Sequence, residues 1–350
     1  HEFSRINRRM HNKLFIADGA FAIAGGRNIA DEYYMRSSHA NFVDMDVLAA
    51  GPVVRELGAV FDGYWNSEQA YPIAALGGAV EAARFDTLNA APAEVPAVAA
   101  QDRFGRDAIA AQLQRGTLQL RPARVQVFAD LPSKAAGEAS RTTHAAASEV
   151  FASAQSELMI VSPYFVPGDS GMAMMRQVQQ RGAMVHVTTN SLGATDEPLV
   201  HAGYSKYRLP MLKMGVKLQE LGATLSQKTA ALGDFRSSSG RLHAKLAVVD
   251  GQRLFIGSMN MDGRSERHNT ELGLVIDSPE LAAEVTALFR AGAQGATYRL
   301  QLAGQDDQQR IEWLSGEDDN EVAHAVEPDR KPGQVARLTL LVALLGEDML

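Results

Sequence analysis

The chain has 350 residues, 46% apolar and 21% charged, with no cysteine and a formal net charge of −7. This is a globular composition, of a length for two units of about 100–200 residues, and it excludes disulfides, thiolate metal sites and cysteine nucleophiles. The acidic balance argues against a non-specific nucleic-acid binder, and no apolar run approaches the ~18–20 residues of a membrane span.

The first residue is His1, not Met, and no signal-peptide pattern precedes the first chemistry at His11. A sheet domain whose key strand begins so early is expected to be a fragment lacking earlier strands. LFIAD (14–18) and FAIAGG (21–26) read as two short strands joined by Asp-Gly, the signature of a hairpin. Ala74–Ala100, rich in Ala, Gly and Pro, reads as a short helix and a connecting segment. VQVFAD (125–130) is strand-like, and Ala145–Ser156 is helical. ELMIVSPYF (157–165) reads as a buried strand ending in a loop, Gly171–Gln180 as a helix and MVHVTTN (184–190) as a strand. Tyr204–Glu220 reads as a helical region broken by Pro210. LAVVD (246–250) and RLFIGS (253–258) form a second hairpin, and Pro279–Ala291 a helix with an apolar face. Gln305–Pro332 reads as a polar surface loop, and Leu338–Leu345 as a buried strand or helix. Alternating strands and helices predict α/β layers.

The two hairpins belong to a repeat. HNKLFIADGAFAIAGGRN (11–28) and HAKLAVVDGQRLFIGSMN (243–260) align without a gap, pairing His11 with His243, Lys13 with Lys245, Asp18 with Asp250, and Asn28 with Asn260. A pattern that occurs twice with the same downstream Gly and Asn indicates a duplicated domain, not a solenoid. Strand side chains alternate faces, so His11 and Lys13 share one side and Asp18 takes the other. The same parity holds for His243, Lys245 and Asp250. The six residues form the candidate catalytic set, with the two histidines and two lysines at the chemistry and the two aspartates as supports.

A neutral imidazole can attack phosphorus, a protonated one can give a proton to a leaving alkoxide, and ammonium groups can neutralise phosphoryl oxygens. Gly25, Gly26 and Gly257, with Ser258, would let a phosphate approach the backbone, and Asn28 and Asn260 could donate to its oxygens. A carboxylate is needed on each histidine's other nitrogen to fix its tautomer. Each half offers one on a later strand: Glu271 in the second, and Asp44 in the first, where Asp46 shares the same parity and competes. No His or Cys spacing for a metal is visible, and no cofactor is expected.

HxKx4D followed by GGxN or GSxN, twice in one chain, resembles the phospholipase D superfamily. IVSPYFVPG (160–168), the block 189–221, DMDVLAAGPVV (44–54) and the EPD at Glu327 resemble its bacterial C-type cardiolipin synthase branch. The resemblance implies an α/β fold of two similar α/β/α sandwich halves related by a pseudo-two-fold, the first half incomplete. Residues 1–120 would hold the first half with a linker, and 121–350 the second. It implies phosphatidyl transfer between glycerophospholipids through a phosphohistidine, with His11 as nucleophile and His243 as acid and base, the sequence leaving the reverse open. Lys13, Lys245, Asn28 and Asn260 would hold the phosphate, with Ser258 a lesser candidate, while Arg264 and Ser265 would hold their loop together. A phospholipid such as phosphatidylglycerol would be met at a membrane surface by a peripheral protein, on the bacterial inner membrane. A monomer would suffice, and no nucleic acid partner is expected. The rival readings are a hydrolase using water as acceptor, a nuclease of the same superfamily, and a non-catalytic lipid-binding fragment. Family members carry substantial sequence before the first motif, whereas ten residues precede His11 here.

Overall fold

The computed structural model describes residues 8–77, 107–138, 141–228, 232, 233, 235, 237–305, 308–316, 320–330 and 333–345. Two units emerge, His1–Phe61 with Ala123–Leu350, and Asp62–Pro122. In chain order the first unit begins with strands β1 (Leu14–Ala17), β2 (Phe21–Gly25), β3 (Ala40–Val43) and β4 (Asp46–Ala50), and with α1 (Pro52–Trp65), which runs across the boundary. The second unit contains two short helices, α2 (Ile73–Leu76) and α3 (Ile109–Arg115). Most of the Ala/Gly/Pro-rich connecting segment lies outside the described residues.

The chain continues through β5 (Arg124–Ala129), α4 (Thr143–Ala152), β6 (Glu157–Val161), α5 (Gly168–Gln180), β7 (Met184–Asn190) and α6 (Pro198–Met214). Next come β8 (Lys217–Leu221), β9 (Ser239–Leu242), β10 (Leu246–Val249), β11 (Arg253–Gly257) and α7 (Gly263–Arg267). The remaining elements are β12 (Leu272–Asp277), α8 (Pro279–Ala293), β13 (Thr297–Ala303), β14 (Arg310–Ser315), β15 (Val322–His324) and α9 (Gln334–Leu345).

The second repeat lies at the centre of a ten-stranded mixed sheet, ordered β15-β14-β13-β8-β7-β6-β10-β11-β12-β5. The first repeat forms a three-stranded antiparallel sheet, β1-β2-β4. Strands β3 and β9 pair in parallel and join the two copies.

Alternation builds two cores on the faces of the large sheet. Leu158, Ile160, Ala247, Val249, Phe255 and Val275 face one cluster, with Phe151 and Met175 from the helices. Met159, Val161, Leu246, Val248, Leu254, Ile256, Leu272 and Leu274 face the other, where Ala22 and Ala24 of β2 pack. Because both faces are buried, these strands read as continuous apolar runs. Small residues on β2 let the three-stranded sheet lie close against the large one.

Both hairpins form as expected, each with a three-residue loop set by the pairings Ala17–Phe21 and Val249–Arg253. Asp18 (φ 53°) and Gly19 (φ 63°) sit in the left-handed region, as do Asp250 (φ 55°) and Gly251 (φ 63°). Asp and Gly tolerate that backbone, which is why the dipeptide marks both turns.

Three expectations need correction. α6 runs unbroken through Pro210. Its buried face, Tyr204, Tyr207, Arg208 and Met211, anchors the helix on both sides of the proline, and Arg208 binds Glu220 and Glu327. The polar stretch from Gln305 contains β14 and β15, not only loop. These strands end the large sheet, so polar residues fill an exposed face while Trp313 reaches the core and donates to Glu220 at 3.0 Å. The Tyr204–Glu220 region likewise divides into α6 and the strand β8. Among the described residues, no helix is long and apolar enough to cross a membrane.

Candidate active site

His11 and His243 stand just ahead of β1 and β10, and each is held by the segment that carries a carboxylate from the other copy. The His11 N–H donates to the Thr270 carbonyl at 3.0 Å, and the Thr270 N–H donates to the Arg9 carbonyl at 3.1 Å. Thr270 precedes Glu271, and the Glu271 carboxylate reaches Nδ1 of His11 at 3.0 Å. On the other side, the N–H groups of His243 and Ala244 donate to the Val43 carbonyl at 2.8 and 2.9 Å. Val43 precedes Asp44, whose carboxylate lies 2.7 Å from Nδ1 of His243. The pairing is therefore crossed: each histidine takes its carboxylate from the opposite repeat. Asp46, the competing choice, instead binds Arg27 Nε at 2.6 Å.

The lysines complete a single site. Lys13 Nζ donates to the His11 carbonyl at 2.8 Å, and Lys245 Nζ to the His243 carbonyl at 2.6 Å. Burial lowers the pKa of His11; Glu271 opposes that shift, and the charges of Lys13 and Lys245 add to it. Burial, then Lys245, pushes His243 down to about 4, with a further contribution from Lys13. Each lysine thus acts on the histidine of the other copy. Burial and mutual repulsion bring Lys13 down to about 7, and burial brings Lys245 down to about 8. Burial works against the charged form of Asp44 and of Glu271, but the hydrogen bond and charge of the facing imidazole hold both carboxyls below their ordinary values. At neutral pH the site contains two neutral imidazoles and two carboxylates. With the Nδ1 proton donated to a carboxylate, the lone pair of each ring is directed to Nε2.

The other residues singled out in the sequence divide between site and scaffold. Asn28 donates to the Tyr33 hydroxyl at 2.7 Å, and that hydroxyl lies 3.3 Å from Nε2 of His243. Ser258 hydrogen-bonds the Glu271 carboxylate and accepts from the Leu272 N–H at 3.0 Å, so it positions Glu271. Asn260 is buried beside the loop, its N–H on the Ser265 hydroxyl at 3.2 Å and its Oδ1 without a partner among the described residues. Asp250 lies away from the histidines; it accepts from the N–H groups of Gln155, Ser156 and Glu157 and ties the turn to the start of β6. Asp18 occupies the equivalent turn of the first copy. The space a side chain would need at Gly26 is filled by the Asp44 carboxylate, and at Gly257 by the Leu272 carbonyl. These two glycines are explained by strands approaching closely to seat the carboxylates, in place of the phosphate approach read from the sequence. Ser265 accepts from the Asn260 N–H, and Arg264 stands 4.0 Å from Glu197, loop contacts in both cases.

A family model described as cardiolipin synthase, PLD-like domain, matches residues 148–292. Cardiolipin synthase C of Escherichia coli K12 is 35% identical over 335 residues, covering 93% of this chain and 70% of that protein. The chain belongs to the cardiolipin synthase family of phospholipase D-like proteins. Cardiolipin synthase A of Pseudomonas syringae is 27% identical over 290 residues, 82% of this chain, which spans about half (48%) of that relative's length. Among solved structures, phosphatidylserine synthase of Haemophilus influenzae superposes with a TM-score of 0.60 at 14% identity, over 97% of this chain and 71% of that one. That likeness concerns the fold alone.

Several residues of this candidate site in the cardiolipin synthase-family chain carried no signal in the repeat. Tyr33 bridges Asn28 and His243 from a 3-10 turn, Asp31–Tyr34, which falls in register with α7 of the second copy, where Ser265 stands at the matching position. Tyr164 meets the His243 ring edge-on, with centroids 6.4 Å apart. Asp130 accepts from the Glu271 N–H at 2.9 Å and from buried Lys134 at 2.6 Å, fixing the segment that presents Glu271. Tyr164 lies in one of the blocks that resembled the family, which was the one available signal.

Proposed function

We propose that the chain is a phosphatidyltransferase that moves a phosphatidyl group from a glycerophospholipid to an alcohol acceptor through a phosphohistidine. The crossed pairing of two neutral imidazoles with two buried carboxylates, beside two lysines, carries this reading. Its relatives named as cardiolipin synthases point to the same chemistry.

In the first step the Nε2 lone pair of His11 attacks phosphorus. An N–P bond forms, the P–O bond to the donor's head-group alcohol breaks, and the departing oxygen takes a proton from His243. The anionic diester, by lying against His243, favours the protonated ring that this step needs. In the second step an acceptor hydroxyl attacks phosphorus, the P–N bond breaks and its electron pair returns to His11, while the hydroxyl proton passes to His243. Lys13 and Lys245 stabilise the charge on the non-bridging oxygens. The Tyr33 hydroxyl lies 3.3 Å from Nε2 of His243, the nitrogen through which His243 would exchange protons as acid and base. Exchange of one phosphodiester for another requires no nucleotide.

Work at a membrane surface fits the exposed Met10 and Ile29, which neighbour His11 and Asn28 in the chain. Incubating the protein with labelled phosphatidylglycerol tests the function. Cardiolipin as product supports transfer, phosphatidic acid alone indicates water as acceptor, and no turnover by the full chain contradicts the reading.

A further inference from the structure

The block at 189–221 resembled the family in sequence, yet the chemistry above does not use it. Its loop from Ser191 to Glu197 follows β7 and brings a third carboxylate, Asp196, toward the site. Tyr164 donates its hydroxyl to Asp196 Oδ2 at 2.9 Å. The Tyr164 ring lies edge-on to His243, and Lys245 Nζ is 5.9 Å from its centroid. The charge of Asp196 is felt at Lys245, where it opposes the lowering by burial, and at Tyr33, where it adds to the raising by burial. Unlike Asp44 and Glu271, Asp196 touches neither histidine and is exposed.

The loop is braced from several directions. The Leu192 N–H donates to Glu327 at 3.3 Å, and buried Arg208 holds Glu327 through Nη1 at 3.0 Å and Nη2 at 2.6 Å. His201 Nε2 lies 2.7 Å from the same carboxylate. Asp329 fills the space beside Gly193. Asn190, at the end of β7, accepts from the Leu242 N–H at 2.8 Å and donates to the Leu242 carbonyl at 2.9 Å. Leu242 immediately precedes His243, so one asparagine registers the loop against the histidine.

We propose that Asp196, presented by Tyr164, is a subsite for a second hydroxyl on a polyol acceptor such as a glycerol head group. This rests on the transfer reading above. One acceptor hydroxyl gives its proton to His243 as it attacks phosphorus, and a neighbouring hydroxyl donates to the Asp196 carboxylate. Three features select this chemistry. A carboxylate repels the anionic phosphate, so Asp196 does not serve the donor diester. Lys245, which feels the charge of Asp196, and Arg264, 4.0 Å from the adjacent Glu197, disfavour a cationic acceptor beside it. A neutral polyol meets neither repulsion and supplies the donor hydrogen that a carboxylate, an acceptor-only group, requires. Water and simple alcohols have no second hydroxyl to place there, which makes Asp196 a determinant of selectivity.

The test compares isotope-labelled glycerol, propan-1-ol and ethanolamine as acceptors for the full chain, with unlabelled short-chain phosphatidylglycerol as donor, reading label incorporated into lipid. Reading ratios between acceptors in one preparation cancels any loss of folded protein. In Asp196→Asn the glycerol-to-propanol ratio of kcat/KM is expected to fall about tenfold, the scale of a hydrogen bond to a charged group. Tyr164→Phe, which frees the carboxylate from its brace, lowers the same ratio less. An unchanged ratio in Asp196→Asn overturns this inference alone, as does a selective loss of ethanolamine transfer, which would mark a cation subsite. If the unmodified chain transfers to no alcohol, the functional reading falls and this inference with it.

Discussion

Replacing Glu271 with Gln keeps the side-chain shape but removes the charge opposite Nδ1 of His11. That carboxylate lies 3.0 Å from the ring nitrogen and is fully buried, and it holds up a His11 pKa that burial depresses. A hydrogen bond to a charged partner is worth about 1.5–3 kcal/mol, and a pKa unit corresponds to about 1.4 kcal/mol. His11 in Glu271→Gln is therefore expected to titrate lower still, and its preference for the Nδ1–H tautomer to weaken. Turnover should fall roughly 10–100-fold if the same energy is lost from the transition state. The crossed arrangement makes a sharper statement: His243 keeps its tautomer in Glu271→Gln, and the mirror substitution Asp44→Asn disturbs His243 while sparing His11. Ring nitrogen shifts of 15N-histidine-labelled protein report both properties, and the His11→Asn and His243→Asn variants assign the two rings among nine histidines. If Glu271→Gln disturbed His243 instead of His11, or both rings equally, the crossed pairing would be refuted.

Other predictions concern pH and the scaffold. Lys13 and Lys245, brought down to about 7 and about 8, lose their charge as pH rises through those values. Binding of dimethyl phosphate, whose charge is constant over this range, should weaken up to about tenfold between pH 7 and 8 and more steeply above 8. Affinity that is flat or rises with pH, read by calorimetry, would contradict the lysines' assignment as the phosphate's counter-charges. Asp250→Ala removes the acceptor for three N–H groups at the start of β6. Because those groups are partly exposed and can turn to water, the loss is expected to be about 1–2 kcal/mol, seen as a lower urea midpoint. A large loss of turnover with an unchanged midpoint would return Asp250 to the chemistry.

The duplicated motif made both histidines and lysines legible, because identical spacing over eighteen positions in two places carries information that no single copy does. Strand parity separated Asp18 and Asp250 from the site, and the structure shows why: both lie in turns with positive φ, and Asp250 anchors a neighbouring strand. The crossing of Glu271 to His11 and Asp44 to His243 was not legible. It depends on how two segments hundreds of residues apart meet, which periodicity within either segment cannot encode. Tyr33 is matched by a different residue, Ser265, at the repeat's offset, and Tyr164 and Asp196 lie outside the repeat; all three occupy turns and loops, where neither alternation nor helical period marks a face. In the fold, Pro210 misled because a proline's missing N–H was weighed without the buried ion pairs that hold α6 straight. β14 and β15 were missed because strands at the end of a sheet have an exposed, polar side.

The proposed phosphohistidine is tested most directly by trapping it. The His243→Asn variant, given a short-chain phosphatidyl donor whose p-nitrophenol leaving group needs no proton from His243, and quenched during reaction, should accumulate a phosphatidyl adduct, because the second step lacks its base. Intact-protein and peptide mass spectrometry should place that adduct on His11. An adduct on another residue, or turnover in the unmodified chain with no adduct on His11 under any quench, would contradict the mechanism.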